Sequence, residues 1–88
     1  MDFLWSSEKD ALLRQQRGFG FMDVVVAIEN GGLLADWPNL RPGYGHQGQF
    51  IVAMGDVVLV VPYVQDGEDL FLKTAFPSRV ARRKYLGG

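Results

Sequence analysis

Two kinds of hydrophobic spacing divide the chain. In the first third, Ala11, Leu12 and Leu13 form an apolar stripe among charged neighbours, and Phe21, Val24, Val25 and Ile28 recur at i, i+3, i+4 and i+7. Both patterns predict helices. Ser6 and Ser7 are each able to cap the first, and Ser7 with Asp10 makes an S-x-x-D pair. Gly18 follows Arg17 as a helix-ending glycine does. The second helix starts near Gly20 and Phe21, carries Asp23 in its first turn, and stops at Gly31-Gly32. Val24, Val25 and Val26 are β-branched and also suit a strand, but the bounding glycines and the helical period favour the helix.

Beyond residue 32 the spacing becomes that of strands. Residues 33–36 predict a short edge strand. Residues 49–54 and 57–64 flank Gly55-Asp56, a two-residue hairpin turn. Pro62 in the second of these marks an edge or a bulge. After the turn at 65–68, residues 69–76 predict a fourth strand, with Leu70, Leu72 and Thr74 on one face and Phe71, Lys73 and Ala75 on the other. Ser78 then caps a short helix, Arg79–Leu86, leaving Gly87-Gly88 as a tail. Residues 37–48, with two prolines and three glycines, read as a loop. The expected fold is α+β: two N-terminal helices, a four-stranded antiparallel sheet with the helices on one face, and a C-terminal helix.

Composition narrows the function. The 88 residues suffice for one domain, spanning 1–88, and not for two. Absence of cysteine excludes disulfides, Cys-based zinc sites and thiol nucleophiles. A single histidine excludes a multi-His metal cluster and no metal-ligand spacing is present, so no metal is expected. The longest aliphatic runs, 24–28 and 57–61, are about five residues against the roughly 20 that span a bilayer. The opening Met1-Asp2-Phe3-Leu4-Trp5 carries no basic region, so the expectation is a soluble, cytoplasmic protein without membrane contact.

The net charge of −1 conceals an asymmetry. Residues 1–72 hold four bases and all ten acids, a balance of −6, whereas residues 73–88 hold five bases and no acid, a balance of +5. A basic end flanked by Phe76 and Tyr85 is a candidate contact for a polyanion, although a solvated helix end has the same composition. His46 lies in the glycine-rich loop beside Tyr44 and Gln47 and is a candidate acid or base. A lone histidine in such a loop more often serves as an anchor or surface residue. Lys73 and Thr74 close a strand just before Arg79, where cations and helix N-terminal amides can converge on a phosphate. Surface pairing with the acids would engage the same cations at little energetic value. Trp5 and Trp37 are candidate core or interface anchors.

Several of these residues together resemble the BrnT-type toxins, small ribonucleases of RelE-like fold encoded beside an antitoxin. The resemblance lies in Trp5-x-x-x-Lys9, Arg17-Gly18 and Phe21-x-Asp23-Val24 at the start, and in Lys73-Thr74-Ala75-Phe76-Pro77-Ser78-Arg79-x-Ala81-x-x-x-Tyr85 at the end. The middle segment is longer than that family's, and Pro77-Ser78-Arg79 replaces its Ser-Ala-Arg. The resemblance implies metal-independent endonucleolytic RNA cleavage that requires no cofactor, in which a 2′-hydroxyl attacks the adjacent phosphorus. His46 or Lys9 would be the base or acid, and Lys73 and Arg79 would stabilise the phosphate. Thr74 would position the substrate, Tyr85 or Trp5 would stack a base, and Arg82 and Arg83 would extend the contact. The implied partners are RNA and a cognate antitoxin whose acidic segment covers the basic end. DNA would be met only through the antitoxin. The alternative is a RelE-like module that binds RNA or protein without catalysis.

Overall fold

A computed structural model describes residues 2–87. In chain order the elements are β1 (Phe3–Leu4), α1 (Ser7–Arg17), α2 (Phe21–Ala27) with a wide helical turn over Ile28–Gly32, β2 (Leu33–Pro38), β3 (Gln47–Met54), β4 (Val57–Asp66), β5 (Asp69–Leu72), β6 (Phe76–Pro77) and α3 (Arg79–Leu86). The α+β class agrees with the sequence. The detail differs: the sheet has six strands rather than four, ordered β1-β5-β4-β3-β2, with β6 also on β4. It is not wholly antiparallel, because β1 pairs parallel with β5. A two-residue strand is below what periodicity can detect.

The helices occupy both faces of the sheet instead of one. Leu13, Phe21, Val24 and Val25 of α1 and α2 pack with Phe50, Val52, Leu59, Val61, Leu70 and Leu72. The alternate residues Ile51, Val58 and Val60 pack with Ala81 and Tyr85 of α3. Successive strand residues point to opposite faces, so β3 and β4 are apolar on both sides and bury both.

Local chemistry sets the joints. Ser6, rather than Ser7, caps α1, its Oγ accepting from Lys9 N–H at 3.2 Å. Asp10 is thereby released to cap the next helix: Oδ1 accepts the Phe21 N–H at 2.7 Å and Oδ2 the Arg14 Nε–H at 3.1 Å. Ser78 Oγ caps α3 by accepting from Ala81 N–H at 3.1 Å. Gly87 ends α3 in the left-handed region, its N–H donating to the Arg83 carbonyl. The expected tail therefore begins as a cap, and Gly88 lies outside the described residues, as does Met1.

The expected strand 69–76 is broken. Tyr63 faces Leu72 and Val60 faces Phe76, so residues 73–75 stand opposite only Val61 and Pro62. The extra residue turns Ala75 into the first core, on the side of Leu72 and against the simple alternation. Pro62 explains the break. Lys73 N–H donates to the Pro62 carbonyl at 2.9 Å, so the side of Pro62 that lacks an N–H faces the bulge.

The stretch expected as a loop is shorter than 37–48. Trp37 pairs with Gln49 and Pro38 with Gly48, extending the β2–β3 ladder. Gly48 lies under the Tyr63 ring, where an added Cβ would come within 2.5 Å of the hydroxyl oxygen. With that space open, Tyr63 stacks on Phe50 at 4.2 Å and donates its hydroxyl to Asp36 Oδ1 at 2.6 Å. This clasp ties the edge strand β2 to β4 across β3.

The Asp10 cap predicts an acid dependence. The Phe21 amide holds the Asp10 carboxyl below its ordinary value of 3.8, against a smaller desolvation effect and with help from Arg14. Its contribution to stability is therefore full above pH 3.8 and is lost as pH falls through the lowered value. Asp10→Asn is expected to have a lower urea midpoint than the parent at neutral pH, with the gap closing in acid. Parallel urea melts across pH measure this, and a gap independent of pH would refute it.

Candidate nucleic-acid interface

The basic C-terminal stretch folds over the second face of the sheet. α3 begins beside Val58, where Ser78 N–H donates to the Val58 carbonyl, and its Tyr85 reaches Trp37 on the edge strand. Along β2 on this face runs a groove with two chambers that share Trp37 and Gln49 as walls, the first of them closed on its far side by α3. One chamber, of about 340 Å³, is bounded by Ile51, Val60, Val80, Lys84 and Tyr85. The other, of about 350 Å³, is bounded by Asn39, Gln47, Pro62 and Lys73.

Trp37 divides them. The residue is 50% exposed, an unusual setting for a tryptophan whose indole is otherwise well fixed. Nε1–H donates to Tyr85 Oη at 2.5 Å, and the Lys84 ammonium lies 4.8 Å from the Trp37 ring and 5.5 Å from the Tyr85 ring. At an exposed site each such cation–π contact is worth about 0.5–1 kcal/mol. Tyr85 accepts from the indole, so its own O–H is left to donate outward. The chambers carry Lys73 and Lys84 and no carboxylate among the described lining residues. Asp36, adjacent to Trp37, points to the opposite face and is taken by Tyr63.

Of the residues singled out from the sequence, Lys73 lines one chamber and Tyr85 the other, on either side of the shared Trp37 and Gln49. The bulge carries Lys73 there and leaves Thr74 half-buried beside it. Arg79 and Arg82 lie instead in a separate depression of about 210 Å³ with Asp56 and Ser78, where Arg82 Nε–H donates to the Asp56 carbonyl at 2.8 Å. Arg83 is exposed on α3. His46 is exposed in the turn before β3, where its carbonyl accepts from Gln65 N–H. Lys9 belongs to α1, whose Leu13 packs on the other face of the sheet. Trp5 is also on that side, stacked on Phe21 at 5.8 Å. Trp37 and Lys84 were not singled out as site residues. The signal that could have found them was an indole on an edge strand and a fourth cation within seven residues of Ser78.

A larger cleft, of about 630 Å³, lies between the α1–α2 joint and the β3–β4 turn, lined by Gly18, Phe19, Val26, Gly32 and Met54 among others. Its described lining holds Asp23 and no cation, which unsuits it to a polyanion. Among the described residues no three His, Asp or Glu side chains converge as metal ligands, and no helix is long and apolar enough to cross a membrane. No family model and no curated protein sequence compared with the chain gives a match.

The clasp beneath the groove has a measurable signature. Burial first, and the Asp36 carboxylate second, push the Tyr63 hydroxyl up to about 12. The neutral form is favoured by folding, so its contribution is present below pH 10 and is lost as pH rises from 10 toward 12. An ultraviolet titration is expected to show Tyr63 ionising near pH 12, and Asp36→Asn is expected to lower that value. An unchanged titration in Asp36→Asn would contradict the clasp.

Proposed function

We propose that the protein is an RNA-cleaving toxin of a toxin–antitoxin pair, of the RelE-like kind its sequence resembles, and that RNA lies in the groove along β2. The observation that carries this reading is the half-exposed Trp37, fixed by Tyr85 and Lys84, with Lys73 across the second chamber and no carboxylate among the described lining residues. Aromatic rings beside cations are what single-stranded RNA requires: a platform for an unpaired base and charges for its phosphates.

The chemistry implied by the resemblance places a 2′-hydroxyl in line with the adjacent phosphorus. Attack forms the 2′-O–P bond as the P–O5′ bond breaks; the 2′-hydroxyl gives up a proton, the leaving 5′-oxygen gains one, and the product is a cyclic phosphate. Lys73 and Lys84 offset the charge that develops on the phosphorus oxygens, and the Tyr85 hydroxyl donates to one of them. The groove needs no metal ligand for these roles. A cognate antitoxin with an acidic segment covers the same cations and thereby silences the site, and DNA is contacted only through that antitoxin.

A second reading, an RNA-binding module without catalysis, draws support from the dispersal of the acid–base candidates. His46 stands in an exposed turn, Lys9 belongs to the helical layer on the other face, and Arg79 lines a separate depression.

Incubation of purified protein with total RNA in EDTA tests both readings. Cleavage is expected to survive EDTA and to fall about 10- to 100-fold in a Lys73→Ala/Lys84→Ala variant matched for folding by circular dichroism, the loss appropriate to charge-assisted contacts of about 1.5–3 kcal/mol. RNA binding without cleavage would establish the non-catalytic reading. Undiminished cleavage in the folded variant would remove the groove from the reaction.

A further inference from the structure

The chamber on the Lys73 side has a lining that phosphate binding does not use. Gln47 and Gln49 are two residues apart on β3 and both line it, so their side chains leave the strand on the same face. Neither side-chain amide has a hydrogen-bond partner among the described residues. Their backbones, by contrast, are firmly held: the Gln47 N–H donates to the Tyr44 carbonyl, the Gln47 carbonyl accepts from Asn39 N–H, and Gln49 pairs between Trp37 and Pro62. Two uncommitted amides on a rigid strand therefore stand beside the half-exposed indole of Trp37. A volume of about 350 Å³ is at the small end of the ~300–1,000 Å³ range for pockets that take compact ligands.

A side-chain amide sets an N–H donor beside a carbonyl acceptor in a single plane. Adenine offers the matching acceptor and donor on both of its edges: N7 with the N6 amine on one, N1 with the same amine on the other. Guanine offers such a pair on one edge only, O6 with N1–H, and presents two acceptors on its N7 edge, which calls for a doubly donating group such as arginine. The pyrimidines have one such edge and a smaller ring to stack. Building on the RNA-face reading above, we infer that the chamber formed by Trp37, Gln47 and Gln49 binds an unpaired adenine of single-stranded RNA, stacked on the indole and read by the two amides. Lys73, at the bulge end of the chamber, lies where the neighbouring phosphate would pass.

Fluorescence anisotropy with four labelled pentanucleotides, two uridines on either side of A, G, C or U and every 2′-hydroxyl methylated so that cleavage cannot consume the probe, measures this with the full chain. The adenine oligomer is expected to bind at least about five-fold more tightly than the others, the lower bound for one good bidentate contact. In a Gln47→Ala/Gln49→Ala variant that keeps the parent's circular dichroism, the four affinities are expected to become equal, while the salt dependence set by the lysines persists. Single Gln47→Ala and Gln49→Ala variants serve if the double variant does not fold, each reducing the preference. Equal binding of the four oligomers by the parent, or preference for another base, overturns the adenine assignment and leaves the RNA face standing. Failure of every oligomer to bind overturns both. A preference undiminished in folded variants overturns the role of the glutamines.

Discussion

Pro62 has no N–H to give, and it stands in β4, a strand with partners on both sides. On the β3 side the pairing of Pro62 with Gln49 is kept; on the other, the chain from β5 to β6 takes an extra residue to pass it. Much else depends on that accommodation. The bulge swings Lys73 into the groove and Ala75 into the first core. It also lets β6 rejoin β4 at Val60 and Leu59, which fixes where Ser78 can cap α3 and therefore where the basic helix crosses the sheet. One missing donor in the middle of the sheet thus decides the position of charges on its surface.

The central hairpin supplies the rigidity against which this happens. Residues 57–61 form an unbroken aliphatic run, as a strand covered on both faces requires, and β3 alternates large residues between the two cores. Both faces of the hairpin are held by the two cores over residues 50–52 and 58–61, and the groove floor continues the same two strands. The loop over residues 39–46 is itself tied down, with Asn39 N–H on the Gln47 carbonyl and Arg41 N–H on Asn39 Oδ1. Side chains held on strand and short helix keep their geometry better than side chains on a mobile loop.

The long-period features were legible in the sequence. The caps at Gly18 and Ser78, the helical reading of Val24, Val25 and Val26, and the Gly55-Asp56 turn all follow from local rules that the tertiary structure did not overrule. The two-residue β1 was not legible, because its pairing with β5 spans most of the chain. Nor was the face chosen by α3: its inward residues are only Ala81 and Tyr85, too few to declare a side, and the decision belongs to Ile51, Val58 and Val60 on the second face of the sheet. The site was half legible. Lys73 and Tyr85 stood out by type and position, but the partners that make them a groove are Trp37 and Lys84. They meet only because an edge strand and a terminal helix cross. Arg79 sits beside Lys73 in every linear reading and in a different depression in space, since the bulge and the first turn of α3 separate them.

The Tyr63 clasp has a bearing on how such a sequence can drift. Three positions in three strands depend on one another: Gly48 leaves the room, Tyr63 occupies it, and Asp36 receives the hydroxyl. The order of change is therefore not free. A side chain at 48 meets the ring and must wait until residue 63 has shrunk, whereas a smaller residue at 63 frees both 48 and 36 at once. Descendants of this chain are expected to keep the three together or to have lost the aromatic ring first, so a glycine at 48 facing a small residue at 63 would be the residue of a path already begun.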